Sequence, residues 1–121
     1  MWTDFNLYHN DQLAMLEAGN QMEDFAVIIE AQSESKPRRL KPIRTQGRFH
    51  QSINYLAQTL DKPFEVKTVV VTHHLSTEQS VPRKFRGNAL GAAFASNLEN
   101  FILNHPQIDF WLHGHTHASM E

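Results

Sequence analysis

The apolar and polar positions of this chain alternate between two periods, and together they predict a mixture of strands and helices. Trp2 to Leu7 alternates loosely and predicts a short strand. Residues 10–23 take a helical spacing, with Leu13, Leu16 and Met22 as the inner face, interrupted by Gly19 and Asn20. Phe25 to Ile29 is an apolar run that suits either element, and Ser33 to Pro42, rich in serine, proline and charge, predicts a loop. Phe49, Ile53, Leu56 and Leu60 form one stripe of a helix over 46–60, which Asp61-Lys62-Pro63 ends because proline cannot continue the ladder. Val66 to Thr72 is a β-branched run with the character of a buried strand. A polar loop follows over 75–87. Asn88 is a good helix cap, and the apolar residues from Leu90 to Ile102 predict a helix over about 88–104, stopped at Asn104-His105-Pro106. Its Phe94, Leu98 and Ile102 are expected to face a sheet. Ile108 to Leu112 is the last strand. Strand, loop, helix and strand in that order suit a βαβ crossover and a parallel pair, hence an α/β fold.

Length and charge narrow the classes. The 121 residues make a single domain, with enough apolar residues (40%) for a core. A net charge of −2 argues against a dedicated nucleic-acid binder. There is no cysteine, which suits a reducing compartment, and no apolar run reaches the roughly 18 residues of a membrane span. The start resembles no signal peptide, so the expected setting is the cytoplasm. Charge is segregated: residues 1–30 hold six acidic groups and no Lys or Arg, whereas 36–48 hold six of the eleven basic ones. Residues 31–48 are therefore expected to be a basic connector that is solvated or meets either an anion or the acidic N-terminal segment.

The candidate chemistry lies in the histidines. Five of the eight fall at the carboxyl ends of the two apolar runs, as His73-His74 and as His113, His115 and His117. Core packing asks for none of them there. Neutral imidazole is a strong transition-metal ligand, and a strand end holds it still. In a parallel pair both clusters would share the sheet edge where open α/β sheets place ligands. Gly114 is expected to bend the chain, so that His113, His115 and His117 do not all meet one ion. His73 and His74 are neighbours, and only one of them is expected to be a ligand. Gly and Thr between the histidines exclude an affinity tag. His9, His50 and His105 are expected at the surface or in loops. No carboxylate stands nearby to bridge two cations, since Asp109 lies at the wrong end of its strand.

Val71-Thr72-His73-His74 and Gly114-His115-Thr116-His117 resemble, in order, the strand-end histidine motif and the final Gly-His-x-His motif of calcineurin-like metallophosphoesterases. Trp2-Thr3-Asp4-Phe5 and Ala92 to Leu98 are similar to a bacterial branch of that family, and the resemblance runs over nearly the whole chain. It implies an αββα sandwich of two mixed sheets and a dinuclear site of Mn, Fe or Zn. The chemistry it implies is attack by metal-bound hydroxide on a phosphoester. It assigns His73 and His115 to the second metal and His117 to the first, and leaves His74 and His113 as supporting or substrate-side groups. The family's Asp-x-His, Gly-Asp and Gly-Asn-His-Asp/Glu motifs do not occur here, and with them go the bridging carboxylate and the histidine that protonates the leaving group. No catalytic residue is therefore assigned within this chain, which resembles the C-terminal half of the domain.

Two functional expectations follow. One is a phosphoester-hydrolysing metal-dependent domain that is incomplete as given, with a second chain as a candidate source of the N-terminal half. The other is a non-catalytic remnant or partner subunit of such an enzyme. Half a sandwich should leave sheet faces and edges uncovered. In the loop, Arg83, Lys84 and Arg86 are candidate phosphate-binding residues, because cations placed beside the strand ends can pair with phosphoryl oxygens.

Overall fold

The computed structural model describes residues 1–32 and 35–117, and within them the chain is a small mixed α/β domain. Four α-helices, α1 (Asp11–Gln21), α2 (Glu23–Val27), α3 (Pro42–Leu60) and α4 (Glu99–Leu103), accompany four strands: β1 (Ile29–Gln32), β2 (Ser35–Arg39), β3 (Thr68–Val71) and β4 (Ile108–Leu112). β1 and β2 make an antiparallel pair, and β3 and β4 make a separate parallel pair. No helix among the described residues is long and apolar enough to cross a membrane.

The first residues do not form the expected strand. Phe5 and His9 both have φ of 59°, which turns the chain away from an extended path. Asp4 anchors this segment through a reciprocal pair: its N–H donates to Ser96 Oγ (3.0 Å) and its carboxylate accepts from the same hydroxyl (2.7 Å). Thr3 and Phe5 are thereby buried, and the ring of Phe5 contributes about 1.5–3 kcal/mol by leaving water. In α1 the Asn10 side chain accepts from the Leu13 N–H, and Asp11 in the first turn suits the positive end of the helix dipole. Its inner face is Ala14 and Ala18, not the expected Leu13 and Leu16, which are 43% and 59% exposed. The reason is steric: α1 lies against the short 3₁₀ turn Ala89–Ala93, and small side chains on both sides let the backbones approach.

Phe25 to Ile29 divides between α2 and β1. Half of the expected loop, Ser35–Arg39, is instead β2; Ser33 and Glu34 lie outside the described residues. Pro37 is tolerated because the hairpin has only two strands and its register already shifts between Glu30 and Gln32. The stretch 31–48 thus carries the second arm of a hairpin and the first turns of α3. Helix α3 begins at Pro42, earlier than the stripe alone predicts, since proline at the first position loses only an N–H that has no helical partner. Phe49 and Leu60 are buried, Ile53 and Leu56 half-buried, and His50 is exposed. Arg44 and Arg48 of the basic stretch pair with Glu30.

The single helix expected over 88–104 is absent. Asn88 caps the Ala89–Ala93 turn through Leu90 N–H (2.8 Å). The chain then runs extended beside Leu75 and Ser76: Leu75 N–H donates to Phe94 O, Ser96 N–H to Leu75 O and Leu98 N–H to Ser76 O, at 3.0, 3.2 and 2.9 Å. Those backbone groups are satisfied sideways, so the helix restarts only at α4. Gly91 is required here, because a Cβ would lie 2.3 Å from the Phe85 carbonyl oxygen.

The core gathers Phe5, Leu7, Ala14, Ala18, Phe25, Leu40, Leu75, Val81 and Ala92–Ala95 side chains at the carboxyl edge of the parallel pair, rather than over it. Of the expected buried strand, Val66 to Thr72, only Val70 and Thr72 are buried. Val69, Val71, Phe110 and Leu112 alternate onto the opposite face and are 49–72% exposed. In register, Val69 pairs with Phe110 and Val71 with Leu112, so the four make one continuous apolar surface. At the opposite end of the strands the Asp109 carboxylate occupies the register shift, accepting from Thr68 N–H (2.8 Å) and Lys67 Nζ (2.9 Å). Those two donors hold its pKa below the ordinary carboxylate value. Asp109 is accordingly far from any chemistry at the histidine edge.

Candidate functional site

The ladder between β3 and β4 continues beyond the strands: Thr72 N–H donates to Leu112 O (2.9 Å) and Gly114 N–H to His73 O (3.0 Å). This keeps the two chain ends side by side as they leave the sheet. Trp111 Nε1–H donates to Thr72 Oγ1 (3.0 Å), and that hydroxyl donates to His74 O (2.8 Å), which fixes the turn into the histidines. The Thr116 N–H then bonds back to Gly114 O (3.0 Å) across His115, whose φ is 73°. The bend is therefore a γ-turn centred on His115, not on Gly114 as expected. This is a strained backbone for a residue with a Cβ, of the kind that concentrates at functional sites.

The consequence is a contact between the two motifs. His115 Nδ1 and His73 Nε2 are 3.1 Å apart and share one hydrogen bond. His74 lies directly beneath, its ring stacked on His115 at 4.3 Å between centroids and tilted against Trp2 at 5.2 Å. Its Nδ1 is 2.8 Å from Met1 O. A carbonyl only accepts, so Nδ1 carries the proton and Nε2 keeps its lone pair. Among the described residues, that Nε2 is buried without a partner. Burial, aided by His115, pushes the His74 pKa down to about 3. Burial and then His73 push His115 down as well, against a smaller opposing pull from Asp24. Both rings are neutral at pH 7, the state in which imidazole donates to a cation.

The other predicted residues separate from this pair. His117 is exposed, with φ of 54°, and is the least of the influences that push His115 down. His113 Nε2 lies 3.0 Å from Ser80 Oγ and ties the end of β4 to the loop. In the loop, Arg86 donates to Val81 O (2.8 Å) and Gln79 O (2.6 Å), so its guanidinium staples the loop to itself. Arg83 is exposed. Lys84 is the cation that reaches the histidine edge: with Pro82, Phe85, Phe94, His115 and Thr116 it lines a cavity of about 200 Å³. Phe94, expected to face the sheet, instead meets His115 (5.1 Å) and Phe85 (4.8 Å).

Sequence reasoning missed Asp24, Phe94 and the Met1 carbonyl as neighbours of the histidines. Only the acidic bias of residues 1–30 hinted at Asp24; no spacing signal marks the other two. Two imidazoles at this separation suit adjacent positions on one cation. Among the described residues, however, no three His, Asp or Glu side chains gather closely enough to hold an ion, so a dinuclear centre does not fit this chain by itself. No protein-family model matches the chain, and no curated protein or solved structure matches it.

Proposed function

We propose that this chain supplies the histidine-bearing part of a metal-dependent phosphoester hydrolase of the metallophosphoesterase type, an αββα sandwich in its complete form. The observation that supports it most is the 3.1 Å approach of His73 and His115 at the carboxyl ends of neighbouring parallel strands. Strand pairing is what brings them together from 42 positions apart in the chain. In this reading His73 and His115 are donors to Mn, Fe or Zn, and His117 joins from the exposed turn. His74 positions His115 by stacking, and His113 secures the strand end. The carboxylates that a dinuclear site needs come from a second chain, which also covers the bare face of β3 and β4. A cytoplasmic setting belongs to the same proposal and is supported by the lack of cysteine.

The incomplete donor set and the uncovered sheet face favour a second reading, a partner subunit or remnant that binds but does not turn over. Both readings expect negligible hydrolysis by the isolated chain. Titration calorimetry of the metal-stripped protein with Zn or Mn tests the common core. Weak binding is expected, lost for the most part in His115→Ala and fading as acid protonates the imidazoles, at lower pH for His115 than for an ordinary histidine. Undiminished affinity in the variant refutes the metal assignment. Rapid turnover of a phosphoester by the isolated chain would refute its incompleteness.

A further inference from the structure

The cavity beside His115 has a composition that the metal assignment leaves unexplained. Its wall is aromatic: Phe85 and Phe94 meet edge to face at 4.8 Å, and Phe94 continues into His115 at 5.1 Å. Its cation is Lys84, whose Nζ stands 4.7 Å above the centroid of Phe85. Among the described residues no carboxylate pairs with Lys84. Thr116 adds a hydroxyl on the same wall. A pocket for inorganic phosphate has no use for two phenyl rings, and a purely apolar pocket has no use for an ammonium and a hydroxyl. The volume, about 200 Å³, is of the order that takes one aromatic ring with a small charged substituent.

The position is held by the fold rather than by chance rotamers. Gly91 lets the Ala89–Ala93 turn touch the Phe85 carbonyl, which sets Phe85 against the core. Arg86 fixes the loop to Val81 and Gln79 on the other side of the same turn. Tyr8 secures the next residue, its hydroxyl accepting from Gly87 N–H at 2.8 Å.

From this arrangement we infer that the cavity binds a single-ring aryl phosphate, its ring against Phe85 and Phe94 and its phosphate between Lys84 and the His115–Thr116 turn. The inference deepens the proposed function by naming the substrate class, and it rests on that reading only for the fate of the phosphate, since binding needs no metal. Ring burial against an aromatic edge and a charge-assisted contact to phosphate each add affinity, so neither fragment alone should bind as well as the two joined.

The test is ligand titration by heteronuclear NMR on the full chain in EDTA, with phenyl phosphate, phenol, inorganic phosphate and AMP as probes. Phenyl phosphate is expected to bind at least about tenfold more tightly than phenol or inorganic phosphate, shifting amides of Lys84, Phe85, Phe94 and Thr116. Lys84→Gln, an exposed position whose replacement leaves the wall intact, should weaken phenyl phosphate by about tenfold and leave phenol unchanged. Phe85→Leu should weaken phenyl phosphate and phenol together. Equal binding of phenyl and inorganic phosphate, or an unaltered affinity in Lys84→Gln, overturns the inference; tighter binding of AMP overturns the single-ring assignment. Metal binding by calorimetry is read separately. Loss of the aryl phosphate with metal binding intact removes only the pocket, whereas the converse removes the hydrolase reading and leaves a binding site.

Discussion

Acid should unfold this protein through its buried histidine stack. His74 is 5% exposed, has an ordinary pKa of 6.5 when the chain is unfolded and one of about 3 when folded. Below pH 6.5 the unfolded chain takes up a proton that the folded chain refuses, so stability is lost as pH falls from 6.5 toward 3 and is full above that window. Each pH unit within it is worth about 1.4 kcal/mol, so His74 alone costs about 3 kcal/mol at pH 4.5. That is a large share of a typical domain's stability of about 5–15 kcal/mol. Burial shifts His115 in the same direction, so it adds to the loss of stability below pH 6.5. Urea unfolding followed by far-ultraviolet circular dichroism, in EDTA at pH 7 and pH 4.5, measures the difference. In His74→Asn the side-chain amide can still donate to Met1 O, but nothing titrates. The variant should be less stable at pH 7, because the stack on Trp2 and His115 is lost, yet its stability should fall by about 3 kcal/mol less than the parent's between the two pH values. An identical fall in parent and variant would refute the buried neutral state of His74.

The glycines give a prediction of opposite signs. Gly91→Ala drives a methyl into the Phe85 carbonyl and should cost about 1–3 kcal/mol, whereas Gly47→Ala in α3 meets nothing within 4 Å and should stabilise by about 0.5–1 kcal/mol, both read as melting temperatures. On the bare sheet face, Val71→Lys should reduce self-association in light scattering without lowering the melting temperature, since Val71 is 72% exposed; a collapse in stability would mean that the face is covered.

The parallel pair and its histidine edge were legible because their signals are local. A β-branched run, an apolar run and two histidine motifs in matching positions leave few other arrangements. What the pattern could not show depends on contacts distant in sequence. Leu13 and Leu16 look like a helix's inner face until the Ala89–Ala93 turn selects Ala14 and Ala18 instead. The apolar spacing from Leu90 to Ile102 is helical, but Leu75 and Ser76 take its central hydrogen bonds. Val69 and Val71 read as buried because β-branched strands usually are, and the covering layer is not written in the strand itself. The site shows the same division: His73 and His115 were visible as partners, while the burial of His74 under the first residues of the chain was not.

The bond between His73 and His115 joins residues 42 positions apart, and the crossover it closes contains the loop, the 3₁₀ turns and α4. Closing so long a segment is slow, since its entropy is spent before any strand contact repays it. The docking of the first residues is coupled to that closure, because Met1 and Trp2 rest on His74, which directly follows the paired strand end. The chain's two tryptophans stand on the two sides of that coupling: Trp111 on the sheet, bonded to Thr72, and Trp2 against His74. A lesion that weakens strand pairing should therefore loosen the histidine edge and the docked first residues together.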